Sequence, residues 1–144
     1  MSLTMTKAER EAFLAETRVA VVSIAEPGRG PLTIPVWHLY EPGGEFRFVT
    51  GGASRKAQLL RAAGRLGACV QEETPPYRYV SIEGPVTFGT PDYERDIRAT
   101  ALRYLGAQMG ELYLQATAAE RDGAILVSLR PARWLSVDYR KWGA

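Results

Sequence analysis

Three short apolar runs separated by clusters of glycine and proline dominate the first third of the chain. They are RVAVVSIA from Arg18 to Ala25, LTIPVWHLY from Leu32 to Tyr40 and EFRFVT from Glu45 to Thr50. The first is rich in β-branched residues, which suit a pleated surface, and the third sets Phe46 and Phe48 two apart so that both face one side. Between the runs stand Glu26-Pro-Gly-Arg-Gly-Pro31 and Glu41-Pro-Gly-Gly44, which supply the fixed and positive φ values of tight reversals. Strands of this length joined by loops this short can only pair as antiparallel neighbours, because a parallel pair needs a crossover of a dozen or more residues. A meander is therefore predicted from Arg18 to Thr50.

The remaining segments fit around it. Ala8, Ala12, Phe13 and Ala15 recur near helical spacing and predict a short amphipathic helix over Thr6 to Thr17. Pro35 has no N–H for a ladder, so its strand belongs at an edge, at a bulge or beside a ligand. A second helix is expected from Ala53 to Ala63, stopped by Gly64. Strand character resumes over Leu66 to Gln71 and Tyr77 to Phe88, around Glu73-Thr-Pro-Pro76. Thr90-Pro91-Asp92 predicts a helix start with Thr90 as N-cap and Pro91 in the first turn. Ile97, Ala101, Tyr104 and Leu105 form its apolar face, with a break near Gly106 or Gly110. Strands Ala124 to Leu129 and Trp134 to Tyr139 close the chain. Five or six mainly antiparallel strands, several apolar on both faces, with one helix between them and a helical insertion before the last pair, predict a mainly β, α+β protein built as a closed or nearly closed barrel.

Composition sets the outer limits. At 144 residues without a polar tract, a single domain over residues 1–144 is expected. Eighteen Lys+Arg against sixteen Asp+Glu give a net charge of only +2, which argues against nucleic acid or an acidic membrane as partner. The one cysteine, Cys69, lies in an apolar strand run and reads as packing. No apolar run approaches the roughly 20 residues of a membrane helix, and residues 1–10 carry no apolar signal core, so a cytoplasmic location is expected.

Chemistry concentrates at Phe48-Val-Thr-Gly-Gly-Ala-Ser-Arg-Lys-Ala57, where a strand ends in a Gly-Gly corner and a helix begins with two cations. A helix N-terminus carries free N–H groups and partial positive charge, so Arg55 and Lys56 there cost about 0.3–1 kcal/mol each unless an anion is present. Bound phosphate would reverse the sign. Ser54 would cap the helix or donate its hydroxyl, and Gly51-Gly52 would let the backbone approach the anion. The local sequence equally admits Ser54 as an ordinary N-cap, with both cations solvated or paired to nearby carboxylates.

The order helix, strand, strand with Pro35-Val36-Trp37, then Phe48-Val49-Thr50 and Ser54-Arg55-Lys56-Ala57 followed by Leu59 and Leu60, resembles the pyridoxamine 5′-phosphate oxidase-like split β-barrels and their deazaflavin-dependent relatives. The resemblance spans most of the chain. It implies a split β-barrel of about six antiparallel strands with flanking helices. It also implies FMN, or alternatively the 8-hydroxy-5-deazaflavin coenzyme, as cofactor, with Thr50, Ser54, Arg55 and Lys56 on the phosphate and Ile34, Pro35, Val36 and Trp37 on the ring. A homodimer is implied as well, with the cofactor in a cleft between subunits and Arg133 and Trp134 as candidates to complete it from the partner. The oxidase proper carries an arginine and a lysine around its first cofactor-binding strand, absent from Leu32-Thr-Ile-Pro-Val-Trp37. It also ends in an arginine- and histidine-bearing motif, where this chain has Trp134-Leu-Ser-Val-Asp-Tyr-Arg-Lys-Trp142, so vitamin B6 oxidation is not the expected reaction.

Hydride transfer between such a cofactor and a small conjugated molecule needs no dedicated nucleophile, which agrees with a chain lacking a triad, a Cys-x-x-Cys or a His-Glu-x-x-His pattern. No catalytic residue and no metal site is assigned. A carrier or sensor of flavin, deazaflavin or haem on the same barrel is the alternative function. His38, the only histidine, reads as a packed, hydrogen-bonded strand residue. Tyr77, Arg78 and Tyr79 are expected near the dimer cleft or in cross-strand packing. Trp134, Tyr139 and Trp142 are read as pocket-closing or interface aromatics, and Arg95, Arg98 and Arg103 as a solvated mixed-charge face with Glu94 and Asp96.

Overall fold

The computed structural model describes residues 2–143. The chain opens with α1 (Lys7–Ala15), whose start is fixed by a capping box: Thr6 accepts from the Glu9 amide and the Glu9 carboxylate accepts from the Thr6 amide. Its buried face carries Phe13 and Leu14. The three strands expected next are present as β1 (Ala20–Ile24), β2 (Leu32–Val36) and β3 (Phe46–Gly51), but the expected meander ends after its first hairpin. β1 pairs with β2, whereas β3 pairs not with β2 but with Ala124–Leu129 at the far end of the sheet. Then come α2 (Arg55–Ala63), β4 (Arg65–Gln71) and β5 (Arg78–Gly89). Gly64 ends α2 at φ 68°, the left-handed conformation that favours glycine at a helix stop.

The strands pair antiparallel in the order β2-β1-β4-β5-β6-β3, where β6 spans Ala124–Leu129, and β7 (Arg133–Asp138) also pairs with β5. The long β5 makes this possible by turning a corner: residues Arg78 to Glu83 face β7, and Val86 to Gly89 face β6 along the same edge. Gly84 sits at the corner, where an added Cβ would lie 2.1 Å from the Arg130 carbonyl oxygen, so no larger residue allows the β6–β7 connection to cross so closely. Inward residues alternate as the strand pattern requires. Val22 and Ile24, Phe46 and Phe48, Leu66, Ala68 and Val70, Val80 and Ile82, and Val127 and Leu129 meet Phe13, Leu14 and Leu60 in one core. This is a curled antiparallel half-barrel flanked by helices, the expected mainly β, α+β split barrel.

The split lies between β2 and β3, the two ends of the strand order. Pro35 is thus on an edge strand, where its missing N–H costs nothing. Beyond β2 the chain touches β3 at one bridge, with reciprocal hydrogen bonds of 2.9 and 3.0 Å between Leu39 and Arg47. The rest of the seam is left to the helical insertion between β5 and β6. This runs from a π-helical turn (Tyr93–Arg98) into α3 (Ala99–Ala116), broken by Gly106 at φ 81°, ψ 173°. It begins two residues later than the sequence predicts. Asp92, not Thr90, is the N-cap: its carboxylate accepts from the Arg95 amide at 2.8 Å while its own amide donates to Asp96 at 2.8 Å. That exchange satisfies two backbone donors' needs with two carboxylates, which a threonine cap at position 90 cannot match. Among the described residues no helix is long and apolar enough to cross a membrane.

Candidate functional site

The open seam forms a cavity of about 290 Å3. Its walls are Pro35, Val36 and Trp37 from the end of β2, Val49, Thr50 and Gly51 from β3, and Lys56 from the first turn of α2. The insertion roofs it with Asp96, Ile97, Thr100, Ala101, Tyr113 and Thr117, and the approach to β6 adds Glu120, Arg121 and Ala124. Five of the eight residues expected to hold a cofactor (Pro35, Val36, Trp37, Thr50 and Lys56) therefore converge here although the segments they come from are separated in sequence.

The two cations of the corner have parted company. Arg55 points to the β1–β2 turn and pairs with Glu26. Lys56 turns inward, where its Nζ donates to Thr50 Oγ1 at 3.1 Å and lies 5.9 Å from the Phe48 ring centre. Among the described residues it has no carboxylate partner, and burial lowers its pKa from the ordinary lysine value. Ser54 is the N-cap, its Oγ accepting from the Ala57 amide at 3.1 Å. The amides of Arg55 and Lys56, in the first turn, have no acceptor within the helix. Gly52 answers to the fold: an added Cβ would stand 2.6 Å from the Gly123 carbonyl oxygen, to which the Gly52 amide donates at 2.8 Å. Gly51 is the open glycine of the pair, with nothing within 4 Å of where its Cβ would be. Ile34 faces the barrel core instead of the cavity.

Trp37 owes its position to what lies behind it. Its ring stacks on Tyr104 at 5.3 Å with an interplanar angle of 7°, and Tyr113 tilts against it at 5.5 Å. The Tyr104 hydroxyl is fixed in turn, 2.7 Å from the Arg18 carbonyl oxygen and 3.1 Å from Nδ1 of His38. His38 is fully buried, with Nε2 3.0 Å from the Leu14 carbonyl oxygen. Burial pushes its pKa down to about 4, so it is neutral at neutral pH, and its role is the packed, hydrogen-bonded one expected.

The insertion is where the sequence misleads. Asp96 is completely buried and is no part of a solvated face: Oδ1 accepts from Arg47 Nε at 3.1 Å and from Arg95 Nε at 3.0 Å, anchoring the insertion to β3. Burial opposes its charge, but the bonds from Arg95, the Asp92 amide and Arg47 outweigh that and hold its pKa below the ordinary carboxylate range. Arg98 pairs with Glu111 across the Gly106 break, and Arg103 donates to the Ala15 carbonyl at 2.8 Å. The one hint in the sequence was the Asp92/Asp96 spacing. Elsewhere, Trp134 packs on Tyr40 and under Arg10, whereas Tyr139 and Trp142 are exposed.

No family model matches the chain, and no curated protein matches it. Solved structures do share its architecture. A conserved hypothetical protein of Mycobacterium tuberculosis superposes with a TM-score of 0.81 at 24% identity, over 99% of this chain and 91% of that one. An F420 reductase gives 0.64 at 18% identity, over 87% and 94% of the two chains. A FAD-binding protein of Mesorhizobium loti gives 0.65 at 15%, over 92% of each. A pyridoxamine 5′-phosphate oxidase-like protein of Listeria innocua gives 0.64 at 11%, over 90% and 96% of the two chains, and at these identities the likeness shows a shared split-barrel fold.

Proposed function

We propose that the chain binds a phosphate-bearing flavin-type cofactor, FMN or the 8-hydroxy-5-deazaflavin coenzyme, in the seam cavity and acts as an oxidoreductase on a small conjugated substrate. The observation that carries this reading is Lys56, a partly buried cation with a hydroxyl beside it and no counterion among the described residues. Leaving such a charge unpaired is costly, and a phosphate against Nζ, Thr50 Oγ1 and the free first-turn amides would compensate it. Gly51 leaves room for the anion to approach β3. Pro35, Val36 and Trp37 would lie along the ring, Trp37 held there by Tyr104. The bound group supplies hydride transfer, and the protein's part is to bind, orient and exclude water. The F420 reductase and the FAD-binding protein with this fold add support.

A second copy completes the site. The outer face of the sheet carries the cross-strand row Pro35, Val21, Cys69, Ser81 and Leu135, with Val21 42% and Leu135 59% exposed. An uncharged row of this kind, flanked by Arg133 and Glu83, suits an interface core with a polar rim. Pro35 belongs both to this row and to the cavity wall, so a partner on the face would also wall the cavity. Leu135→Glu should shift sedimentation from dimer to monomer and weaken cofactor binding with it.

The purified protein tests the reading directly. Its absorbance spectrum shows whether flavin is carried, and titration with FMN and with the deazaflavin coenzyme gives the affinities. Turnover of the reduced cofactor with a panel of quinones and enones separates enzyme from carrier. Binding of neither cofactor at micromolar concentration overturns the assignment.

A further inference from the structure

The cavity holds a second cation for which a single phosphate at Lys56 has no use. Arg121 leaves the short 3-10 turn Ala118–Glu120 and lines the cavity between Thr117 and Ala124. Its guanidinium lies over the Tyr93 ring at 4.8 Å, and one terminal nitrogen donates to the Leu114 carbonyl near the end of α3. Its Nε is buried with no hydrogen-bond partner. Among the described residues no carboxylate pairs with it: Asp96 is taken by Arg47 and Arg95, and the neighbouring Glu120, which also lines the cavity, is exposed and makes no ion pair with it. Arg10 and Arg103 likewise bury an unpartnered Nε beside an aromatic ring, but neither lines the cavity.

Backbone pairing connects the two cations. Lys56 bonds Thr50; Gly51, the next residue, pairs with Ala124; and the Ala124 amide donates to the Arg121 carbonyl at 3.1 Å. Lys56 and Arg121 thus line one cavity from neighbouring segments, joined through the paired end of β3 and start of β6. A buried donor left without a partner costs roughly 1–3 kcal/mol, and a planar fork of donors is best matched by a carboxylate or phosphate. We propose that Arg121 is a second anion-binding residue, and that the ligand with its phosphate at Lys56 carries a further carboxylate or phosphate group that Arg121 holds. This rests on the cavity being the cofactor site. It favours a ligand with two acidic groups along its side chain over one with a single terminal phosphate.

Calorimetric titration of wild type, Arg121→Gln, Arg121→Lys and Lys56→Met tests it, with FMN as the one-phosphate probe and the deazaflavin coenzyme, which bears a phosphodiester and carboxylates, as the other. Arg121→Gln should weaken the two-acid ligand roughly tenfold to a hundredfold and leave FMN within about twofold. Arg121→Lys, which keeps the charge but loses the fork, should recover only part of that loss, whereas Lys56→Met should weaken both ligands. Equal affinities of folded Arg121→Gln and wild type for the two-acid ligand, or equal losses for both ligands, would overturn the assignment while leaving the cofactor site standing. Wild type that binds neither ligand refutes both. Should Arg121→Gln fail to fold, the comparison moves to the ligand. A deazaflavin coenzyme stripped of its carboxylates must then bind wild type roughly tenfold or more weaker than its parent, and equal binding refutes the role of Arg121.

Discussion

Lys56→Met separates a ligand-binding lysine from a structural one, because the two roles give opposite signs. Methionine keeps most of the unbranched stem and removes the charge. In the free protein the charge is a burden: burial already lowers its pKa, and among the described residues no carboxylate offsets it and Thr50 Oγ1 accepts its hydrogen bond. The free variant should therefore be as stable as wild type or up to about 1 kcal/mol more stable in urea. Its affinity for FMN should fall by about 1.5–3 kcal/mol, the range of a hydrogen bond to a charged group, which is roughly tenfold to a hundredfold. The pH dependence has a defined sign too. Between the lowered native pKa and the ordinary lysine value the unfolded chain holds the proton more tightly, so free wild type gains stability as pH rises through that window. Bound phosphate favours the charged form and should abolish the gain, and Lys56→Met should lack it throughout. Calorimetry and urea titration at two pH values provide the readout. Unchanged FMN affinity in a folded variant, or a loss of stability above about 1 kcal/mol without loss of affinity, would refute the phosphate role.

Three further substitutions probe the frame. Asp96→Asn leaves the Arg47 and Arg95 guanidiniums facing a neutral amide in a fully buried position, and should cost about 3–5 kcal/mol in thermal or urea denaturation. Because the Asp96 pKa is lowered, wild type should lose this same contribution as pH falls below the ordinary carboxylate range, and the variant should not. His38, neutral in the native state with a pKa of about 4, should make stability decline from about pH 6.5 downward, on the order of 3 kcal/mol in all, since the unfolded chain protonates first. As the only histidine, it gives one imidazole signal by NMR, which should titrate near pH 4. Gly84→Ala should destabilise by at least about 1–3 kcal/mol, since the Arg130 backbone must move, whereas Gly30→Ala, with nothing nearby, should be close to neutral.

The barrel was legible because its strands are written in local terms: alternation, β-branched runs and turn residues at Glu26 to Pro31 and Glu41 to Gly44. Gly64 and Ser54 were equally local, and both occupy the cap positions that their chemistry predicts. The seam cavity was legible in part for a different reason. Pro35 and Lys56 each break a local rule, one by lacking a ladder donor and the other by placing a cation at a helix start, and such violations point to what surrounds them. The insertion offered no such signal. Its charges at Arg95, Asp96 and Arg98 have the spacing of a solvated helix face, and only the tertiary approach of Arg47 from β3 turns Asp96 into a buried anchor. The helix start moved from Thr90 to Asp92 for the same reason, since the competing cap depends on the Asp96 carboxylate.

This difference bears on how the cavity works. The floor and one wall come from the barrel, whose geometry is fixed by the core, but the roof is an insertion that reaches the barrel through a few specific polar links. Those are Asp96 to Arg47, Arg103 to the Ala15 carbonyl, and the Tyr104 hydroxyl to the Arg18 carbonyl and His38. Such links have direction and can be lost singly, unlike the packing of Phe46, Phe48 and Leu60 beneath. Changes in the core should therefore alter stability and leave the shape of the site intact. Changes at Asp96 or Tyr104 should move Trp37 and Tyr113 relative to Lys56, and so alter ligand affinity more than their cost in stability would suggest.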